Sequence, residues 1–225
     1  MTMELSERFP RLKSVGMLTL SPFDRYEVIG TPAGKVECVC YHDRKDFENA
    51  VIALAYKLEP RPIPPSMGAM FLSGLADHVA MEKVSIILLS RGPYSAISHE
   101  AAGLPEEEWL DRSYDIRRHH EAAHFIQRKL FPENKHPLKD EIKADMVGLM
   151  KAFGRYDTRL AKLFLGIEGD RYRKGGRLEI YDHEGKTDGE FMREAAAYMD
   201  KIASYVEGRV EDAYDLLMEI EEKRL

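Results

Sequence analysis

Hydrophobic and polar residues alternate in short runs near the start of the chain, with turn-forming residues between the runs. Residues 17–20, 26–29 and 35–41 have the alternating or β-branched character of strands. Thr31-Pro32-Ala33-Gly34 separates the last two runs and predicts a hairpin turn. We therefore expect a small antiparallel sheet in this part of the chain.

The pattern then changes to helical spacing. Apolar residues from Asp46 to Leu58 recur every three or four positions, and Asp46 is a suitable N-cap. Prolines in 60–65 end this helix and form either a linker or an extended connection. Residues 66–82 suggest a further apolar helix, and residues 84–89 suggest a buried strand.

The rest of the chain is predominantly helical in pattern. Predicted helices cover a segment from Ser113 or Asp115 to a point before Pro132, then 138–149, 158–165 and most of 187–225. The short bend at 131–137 predicts that the helices on either side of it pack as an antiparallel pair. Acidic residues at 106–108 favour a helix start, which Trp109 could anchor.

Together these elements predict an α+β fold. Its small N-terminal sheet, antiparallel or mixed and accompanied by helices, would pack on a mainly helical C-terminal lobe. We place the lobes at 1–104 and 105–225, although a chain of 225 residues could also form one continuous domain.

Composition and charge argue against some binding partners, namely nucleic acid and membranes. The chain is 44% hydrophobic and 32% charged, as in an ordinary globular protein, and its net charge is −6. This charge gives no basic surface for nucleic acid or an anionic membrane. The N-terminus has no apolar signal region and the apolar runs are shorter than a membrane span, so we expect a cytoplasmic protein. Cys38 and Cys40 are expected to be reduced, because a disulfide at that spacing would be strained.

A candidate metal site lies in the predicted helix before Pro132, in the sequence His120-Glu121-Ala122-Ala123-His124. Residues four positions apart lie one above the other on a helix, so His120 and His124 could share one metal ion. Glu121 projects about 100° away, outside the ligand set but near a metal-bound water that needs a general base. His119 projects by about the same angle from His120 and is not expected to be a ligand.

A catalytic zinc takes three protein ligands, so a third must come from elsewhere in the chain. Glu141 and Asp145 lie four positions apart on the next predicted helix. One of these carboxylates could bind the metal, and the other could accept the ring N–H of a ligand histidine and fix its tautomer. His136, in the bend between the helices, is an alternative ligand.

The arrangement His-Glu-x-x-His followed by Glu-x-x-x-Asp resembles the gluzincin branch of the zinc metallopeptidases, which includes the thermolysin-like enzymes. The resemblance implies a Zn²⁺ ion held by His120, His124 and Glu141. It also implies that Glu121 is the general base and that Asp145 is the hydrogen-bond partner of a ligand histidine.

The resemblance covers only about residues 115–150. Glu141 follows His124 by 17 positions, somewhat fewer than in the thermolysin type, so the loop between the helices should be tighter. The metzincin pattern does not fit, because it needs a glycine and a third histidine where this chain has Gln127 and Leu130. Residues 141–145, 153–156 and 175–181 also resemble uncharacterised bacterial proteins with the same zinc motif.

Two further features are expected from the resemblance. Thermolysin-like enzymes supply the donor that stabilises the oxyanion from the chain after the third ligand, where this sequence has Tyr156, Tyr181 and His183. They also bind substrate backbone as an added strand, for which the strand at 84–89 and the turn at 90–95 are candidates.

The leading functional prediction is a zinc-dependent hydrolase, above all a peptidase acting on peptides or proteins. A metal-stabilised binding or regulatory module without activity is the main alternative. A di-iron carboxylate protein is disfavoured, because its second Glu-x-x-His pair, Glu133 and His136, lies in a proline-flanked bend. A solvated helix face with an ion pair between Arg117 and Glu121 would need no metal.

Overall fold

The computed structural model describes residues 5–65, 67–182 and 189–225. The fold is α+β, as the sequence predicts. The chain forms two compact units, Met1–Gly92 (unit 1) and Pro93–Leu225 (unit 2). The boundary suggested by the sequence, between 104 and 105, falls inside unit 2. None of the helices in the described ranges is long and apolar enough to cross a membrane.

Unit 1 contains the main sheet. Its elements are α1 (Leu5–Arg8), a 3₁₀ helix (Pro10–Val15), β1 (Arg25–Thr31), β2 (Gly34–Tyr41), α2 (Arg44–Leu54), β3 (Ala69–Asp77) and β4 (Glu82–Ser90). The strands are ordered β1-β2-β4-β3. The β2–β4 pair is parallel and the two outer pairs are antiparallel, so the sheet is mixed.

The core of unit 1 lies between α2 and the sheet. Alternate residues of β2 and β4 belong to the same buried cluster as the apolar face of α2; they include Val39, Tyr41, Ile86 and Leu88. The strand period of two and the helix period of 3.6 therefore bring two apolar faces together, which is the usual way such elements bury their surface.

The hairpin of unit 1 is confirmed, whereas three other local predictions are wrong. Residues 17–20 are irregular and follow the 3₁₀ helix Pro10–Val15, whose C-cap Gly16 has a left-handed conformation. The cap of α2 is Asp43, whose side chain accepts a hydrogen bond from the Lys45 amide, rather than Asp46. Residues 69–77 form β3 instead of a helix, because a short apolar run suits both structures and pairing with β4 decides between them.

Unit 2 is mainly helical. Its elements are a 3₁₀ helix (Tyr94–Ala96), α3 (His99–Ala102), α4 (Glu106–Leu130), α5 (Pro137–Phe153), α6 (Thr158–Leu165), β5 (Ile167–Glu168), β6 (Arg171–Tyr172), a 3₁₀ helix (Arg177–Ile180), α7 (Glu190–Val206) and α8 (Ala213–Lys223). The bounds of α6 agree with the prediction. The motif helix α4 begins earlier than predicted, because buried Trp109 fixes its first turn by donating a hydrogen bond of 2.8 Å to the Ile97 carbonyl.

Helices α4 and α5 form the predicted antiparallel pair and lie unusually close together. A Cβ atom on Gly148 would lie only 2.7 Å from the carbonyl oxygen of Ile116, so the glycine permits this approach. Further along the pair, Glu141 meets His120 and His124. The two helices therefore bring their side chains to one point.

Candidate metal centre

Three side chains converge between α4 and α5. The Nε2 atoms of His120 and His124 lie 3.1 Å apart. The carboxylate of Glu141 lies 3.4 Å from the first of these nitrogens and 3.2 Å from the second. Ligands arranged tetrahedrally around zinc, each roughly 2.0–2.1 Å from the ion, would be roughly 3.3–3.4 Å apart. One ligand atom from each residue lies within 4.8 Å of the other two, so the group could hold a metal ion.

Hydrogen bonds orient the ring of His120. Its Nδ1 lies 2.9 Å from Oδ1 of Asp145. The same carboxylate accepts a hydrogen bond of 2.7 Å from the Tyr94 hydroxyl and another from the Arg177 guanidinium. Burial would raise the pKa of Asp145, but Arg177 and then His120 outweigh it and hold the pKa below its usual value. An ionised Asp145 can only accept, so Nδ1 of His120 carries the proton that bonds to it.

The charges around the ligand atoms favour a cation. Burial alone would lower the pKa of His120, but the carboxylates of Asp145 and Glu141 outweigh it and raise this pKa to about 10. Burial would raise the pKa of Glu141, yet His120 and His124 hold it well below its usual value. The site therefore stabilises positive charge at the point where the three ligands meet, as a metal site must.

A cavity of about 240 Å³ opens beside the ligands. Two of the ligands, His124 and Glu141, form part of its wall, together with Tyr181, Phe131 and Arg128. Burial raises the pKa of Tyr181 well above its usual value, and the nearby Glu141 carboxylate adds to this effect. The Tyr181 phenol therefore stays protonated and can donate a hydrogen bond beside the site.

The other residues considered for catalysis have different positions. Glu121 is half-buried on α4 and, within the described chain, is not part of the cavity wall. The hydroxyl of Tyr156 is buried, has no hydrogen-bond partner among the described residues and lies away from the cavity wall. His183 lies outside the described residues. The structure therefore brings Tyr181, rather than Tyr156, to the cavity beside the ligands.

Neighbouring histidines have other contacts. Nδ1 of His119 lies 2.6 Å from the hydroxyl of Tyr214, so this ring contacts α8. Nδ1 of His136 accepts a hydrogen bond of 3.3 Å from the Lys139 amide and caps α5. This contact gives His136 a structural role and does not favour the second carboxylate–histidine pair of a di-iron site.

Two alternatives that the sequence left open are contradicted by the structure. Arg117 does not lie on a solvated face, since it is buried and donates a hydrogen bond of 3.0 Å to the Pro93 carbonyl. A substrate strand cannot add to β4, because β2 and β3 already pair with its two edges.

Several residues around the site were not predicted from the sequence. Tyr94 and Arg177 contact Asp145 from positions far along the chain, where no local spacing connects them to the motif. Gln127, whose Oε1 lies 3.1 Å from Nδ1 of His124, could have been found, because it lies three positions after that histidine on the same helix.

A model of a protein family matches most of the chain. The model of DUF7005, described as a family of unknown function, matches residues 12–84 and 79–217. No curated protein and no solved structure matches the chain significantly.

Proposed function

The chain belongs to the DUF7005 family, and because that family has no known function, we propose from the residues of the site that the protein is a zinc-dependent hydrolase of peptides or proteins. One observation carries the proposal. The Nε2 atoms of His120 and His124 lie 3.1 Å apart, with Oε2 of Glu141 3.4 Å from the first and Oε1 of Glu141 3.2 Å from the second, so the three side chains can surround one metal ion.

The ligand set also favours zinc over other common metals. Two imidazole nitrogens and one carboxylate are a frequent set in catalytic zinc sites, which keep a fourth position open. Magnesium and calcium prefer oxygen ligands, so the two imidazoles argue against them. Bound zinc would supply Lewis-acid chemistry, polarising a carbonyl oxygen and lowering the pKa of water.

Two further side chains have proposed roles in hydrolysis. Glu121 would take the proton of the attacking water, because its position next to His120 on α4 keeps it near the ligands without making it one. Tyr181 would donate a hydrogen bond to the oxyanion, since it lines the same cavity as His124 and Glu141. Peptides remain the proposed substrates because of the resemblance to gluzincins.

The test compares the wild type with Glu121→Gln in a broad peptide library, with metal content measured on both proteins. The variant should keep about one zinc per chain and lose roughly 10²–10⁴-fold in hydrolysis. Tyr181→Phe is the matched variant for the oxyanion donor and should also keep its zinc. If Glu121→Gln is as active as the wild type on every substrate found, the role of Glu121 is wrong.

A second candidate function is a metal-stabilised binding or regulatory module. The observation that favours it is the position of Glu121. Among the described residues that line the cavity beside the ligands, Glu121 is absent. Under this alternative, removal of zinc lowers the stability of the protein, yet the wild type cleaves nothing in the library. Under the hydrolase proposal, both stability and cleavage depend on zinc.

A further inference from the structure

A line of buried polar side chains leads from the metal centre to the last helix of the chain. Gln127 stands next to His124, with Oε1 3.1 Å from Nδ1 of the ring. Its Nε2 donates a hydrogen bond of 3.0 Å to Oε1 of Glu221 on α8. The same oxygen of Glu221 accepts a hydrogen bond of 2.5 Å from Lys143 on α5. Three helices therefore meet in this network.

The direction of each hydrogen bond follows from Glu221. Its Oε1 faces two donors, Lys143 and the amide of Gln127, and its Oε2 faces a third donor at Asn134, 3.2 Å away. A carboxylate surrounded by donors acts as an acceptor, so the NH₂ group of Gln127 must point toward it. The carbonyl oxygen of Gln127 must then point toward His124.

This orientation selects one tautomer of His124. Because the Gln127 carbonyl can only accept, Nδ1 of His124 must carry the proton. Its Nε2 is then left with a lone pair, and this is the atom that lies 3.2 Å from the Glu141 carboxylate and 3.1 Å from Nε2 of His120. Asp145 likewise accepts from Nδ1 of His120, so in a zinc-bound site each ring would turn its Nε2 toward the ion.

Burial makes the network costly to disturb. Gln127, Lys143 and Glu221 are 7%, 5% and 2% exposed. In such surroundings an unmatched donor or acceptor destabilises the protein, and a charged one does so more strongly. An inverted Gln127 amide would place its NH₂ group against Nδ1–H of His124 and its carbonyl against Glu221. The network therefore holds the amide in one orientation.

We propose that Gln127, held by Glu221 and Lys143, is a positioning residue for the zinc ligand His124, so that α8 completes the metal centre. This inference rests on the proposed zinc site. A network that merely attached α8 to the rest of unit 2 would affect stability alone, whereas a positioning network also changes how tightly the site holds its metal.

The first experiment compares Gln127→Leu with Asn134→Ala. Asn134 also holds α8 in place, since it donates hydrogen bonds to the main-chain carbonyl and to the carboxylate of Glu221. Unlike Gln127, it makes no hydrogen bond to His124 among those in the described residues. Zn²⁺ affinity is measured by competition with a chelator, and the absorption spectrum of bound Co²⁺ reports the ligand geometry. Thermal unfolding of the metal-free proteins gives the effect on stability.

Gln127→Leu should bind Zn²⁺ roughly 10- to 100-fold more weakly than the wild type and change the Co²⁺ spectrum. Asn134→Ala should lower the unfolding temperature, yet keep the Zn²⁺ affinity and the Co²⁺ spectrum of the wild type. Equal losses of Zn²⁺ affinity in the two variants would overturn the proposal, because a general loosening of α8 would then explain both.

A second set of variants tests the direction of the hydrogen bonds. Gln127→Glu places two carboxylates against each other and should weaken Zn²⁺ binding. The double variant Gln127→Glu with Glu221→Leu removes the opposing carboxylate, while Lys143 keeps its ion pair with Asp140, 3.1 Å away, and the new carboxylate on α4 can accept from Nδ1 of His124. It should therefore bind Zn²⁺ more tightly than the single Gln127→Glu variant. Absence of this rescue would contradict the proposal.

The result for the wild type separates this proposal from the proposed function. If the wild type binds no Zn²⁺, the metal site and the positioning role both fail. If the wild type binds Zn²⁺ and Gln127→Leu binds it equally well with an unchanged Co²⁺ spectrum, only the positioning role fails. A wild type that binds Zn²⁺ but cleaves nothing leaves the positioning role intact when Gln127→Leu binds more weakly.

Discussion

Unit 1 and unit 2 each contain a cluster of charged side chains with little exposure to solvent. In unit 1, the guanidinium of Arg8 makes two hydrogen bonds to Glu37, of 2.6 and 2.7 Å, and one of 2.6 Å to Asp77. Each of these carboxylate oxygens faces an N–H donor. In unit 2, the carboxylate of Glu141 and the Nε2 atoms of two histidines face one another around a common point.

The two clusters differ in what completes them. The unit 1 cluster matches acceptors with donors and needs no other ion, which is typical of a structural ion pair. In the unit 2 cluster, Asp145 and Gln127 take up the Nδ1 atoms of the two rings, so both Nε2 atoms and the Glu141 carboxylate are available to bind a cation at one point. Burial and charge alone would not distinguish the clusters. The arrangement of donors and acceptors does.

The largest effect expected from a single substitution is the loss of a ligand in His124→Ala. If three ligands share the roughly 10–16 kcal/mol of a protein zinc site, one ligand accounts for about 3–5 kcal/mol. Zn²⁺ affinity measured by chelator competition should therefore fall by roughly 10²–10⁴-fold. Arg8→Met is the control in the other unit and should keep the affinity of the wild type. An unchanged Zn²⁺ affinity in His124→Ala would mean that the unit 2 cluster does not bind zinc and does not differ in this respect from the unit 1 cluster.

Arg8→Met also tests how much the unit 1 cluster contributes to the stability of the protein. It leaves the carboxylates of Glu37 and Asp77 without their guanidinium partner, and breaking such a buried pair costs about 3–5 kcal/mol. We expect a loss near the lower limit, because the side chain of Glu37 is 18% exposed. Urea denaturation measures the change. Arg11→Met, at an exposed position, should change the stability by less than about 0.5 kcal/mol.

Gly148→Ala tests the close approach of α4 and α5, the helices that carry the proposed zinc ligands. The added methyl group would meet the Ile116 carbonyl, and such overpacking destabilises a protein by about 1–3 kcal/mol. The higher helix propensity of alanine than of glycine offsets about 1 kcal/mol of this loss. We expect a net loss of about 1 kcal/mol in urea denaturation. Gly30→Ala in β1, where the methyl group meets open space, should be neutral or slightly stabilising. Equal effects would mean that the helices can separate freely.

The smallest effect concerns acid stability. Burial raises the pKa of Asp77, but hydrogen bonds from the Ala80 amide and from Arg8 outweigh it and hold the pKa below its usual value. Because the pKa of Asp77 is lower in the folded than in the unfolded protein, the ionised carboxylate stabilises the fold above about pH 4. This contribution disappears as the pH falls through the pKa of Asp77 in the folded protein. The stability difference between the wild type and Asp77→Asn should therefore shrink below about pH 4, by at most about 1.4 kcal/mol per pH unit. A difference independent of pH would contradict this.

The predictions from sequence were best where local spacing determines the structure. The spacing of His120 and His124 on one helix, and of Glu141 and Asp145 on the next, was sufficient to identify the group that converges in unit 2. The bounds of α6 were predicted for the same reason, since its apolar residues recur with a helical period.

Predictions were poorest where contacts between distant parts of the chain determine the structure. The strand β3 was predicted as a helix, because only its pairing with β4 selects between the two structures. Arg177 and Glu221 approach the centre from elements separated from it by long stretches of sequence, and no spacing rule connects them to the motif. The sequence therefore identified the candidate ligands and Asp145, which orients one of them, but not the more distant side chains that complete the hydrogen bonds around them.

The central claim is that the three converging side chains hold a zinc ion, and anomalous X-ray scattering at the zinc edge tests it most directly. Crystals of the wild-type protein grown with Zn²⁺ should show one strong peak per chain, about 2.0–2.2 Å from Nε2 of His120, Nε2 of His124 and a carboxylate oxygen of Glu141. A map without a peak at this point, or with its only zinc bound elsewhere, would contradict the claim.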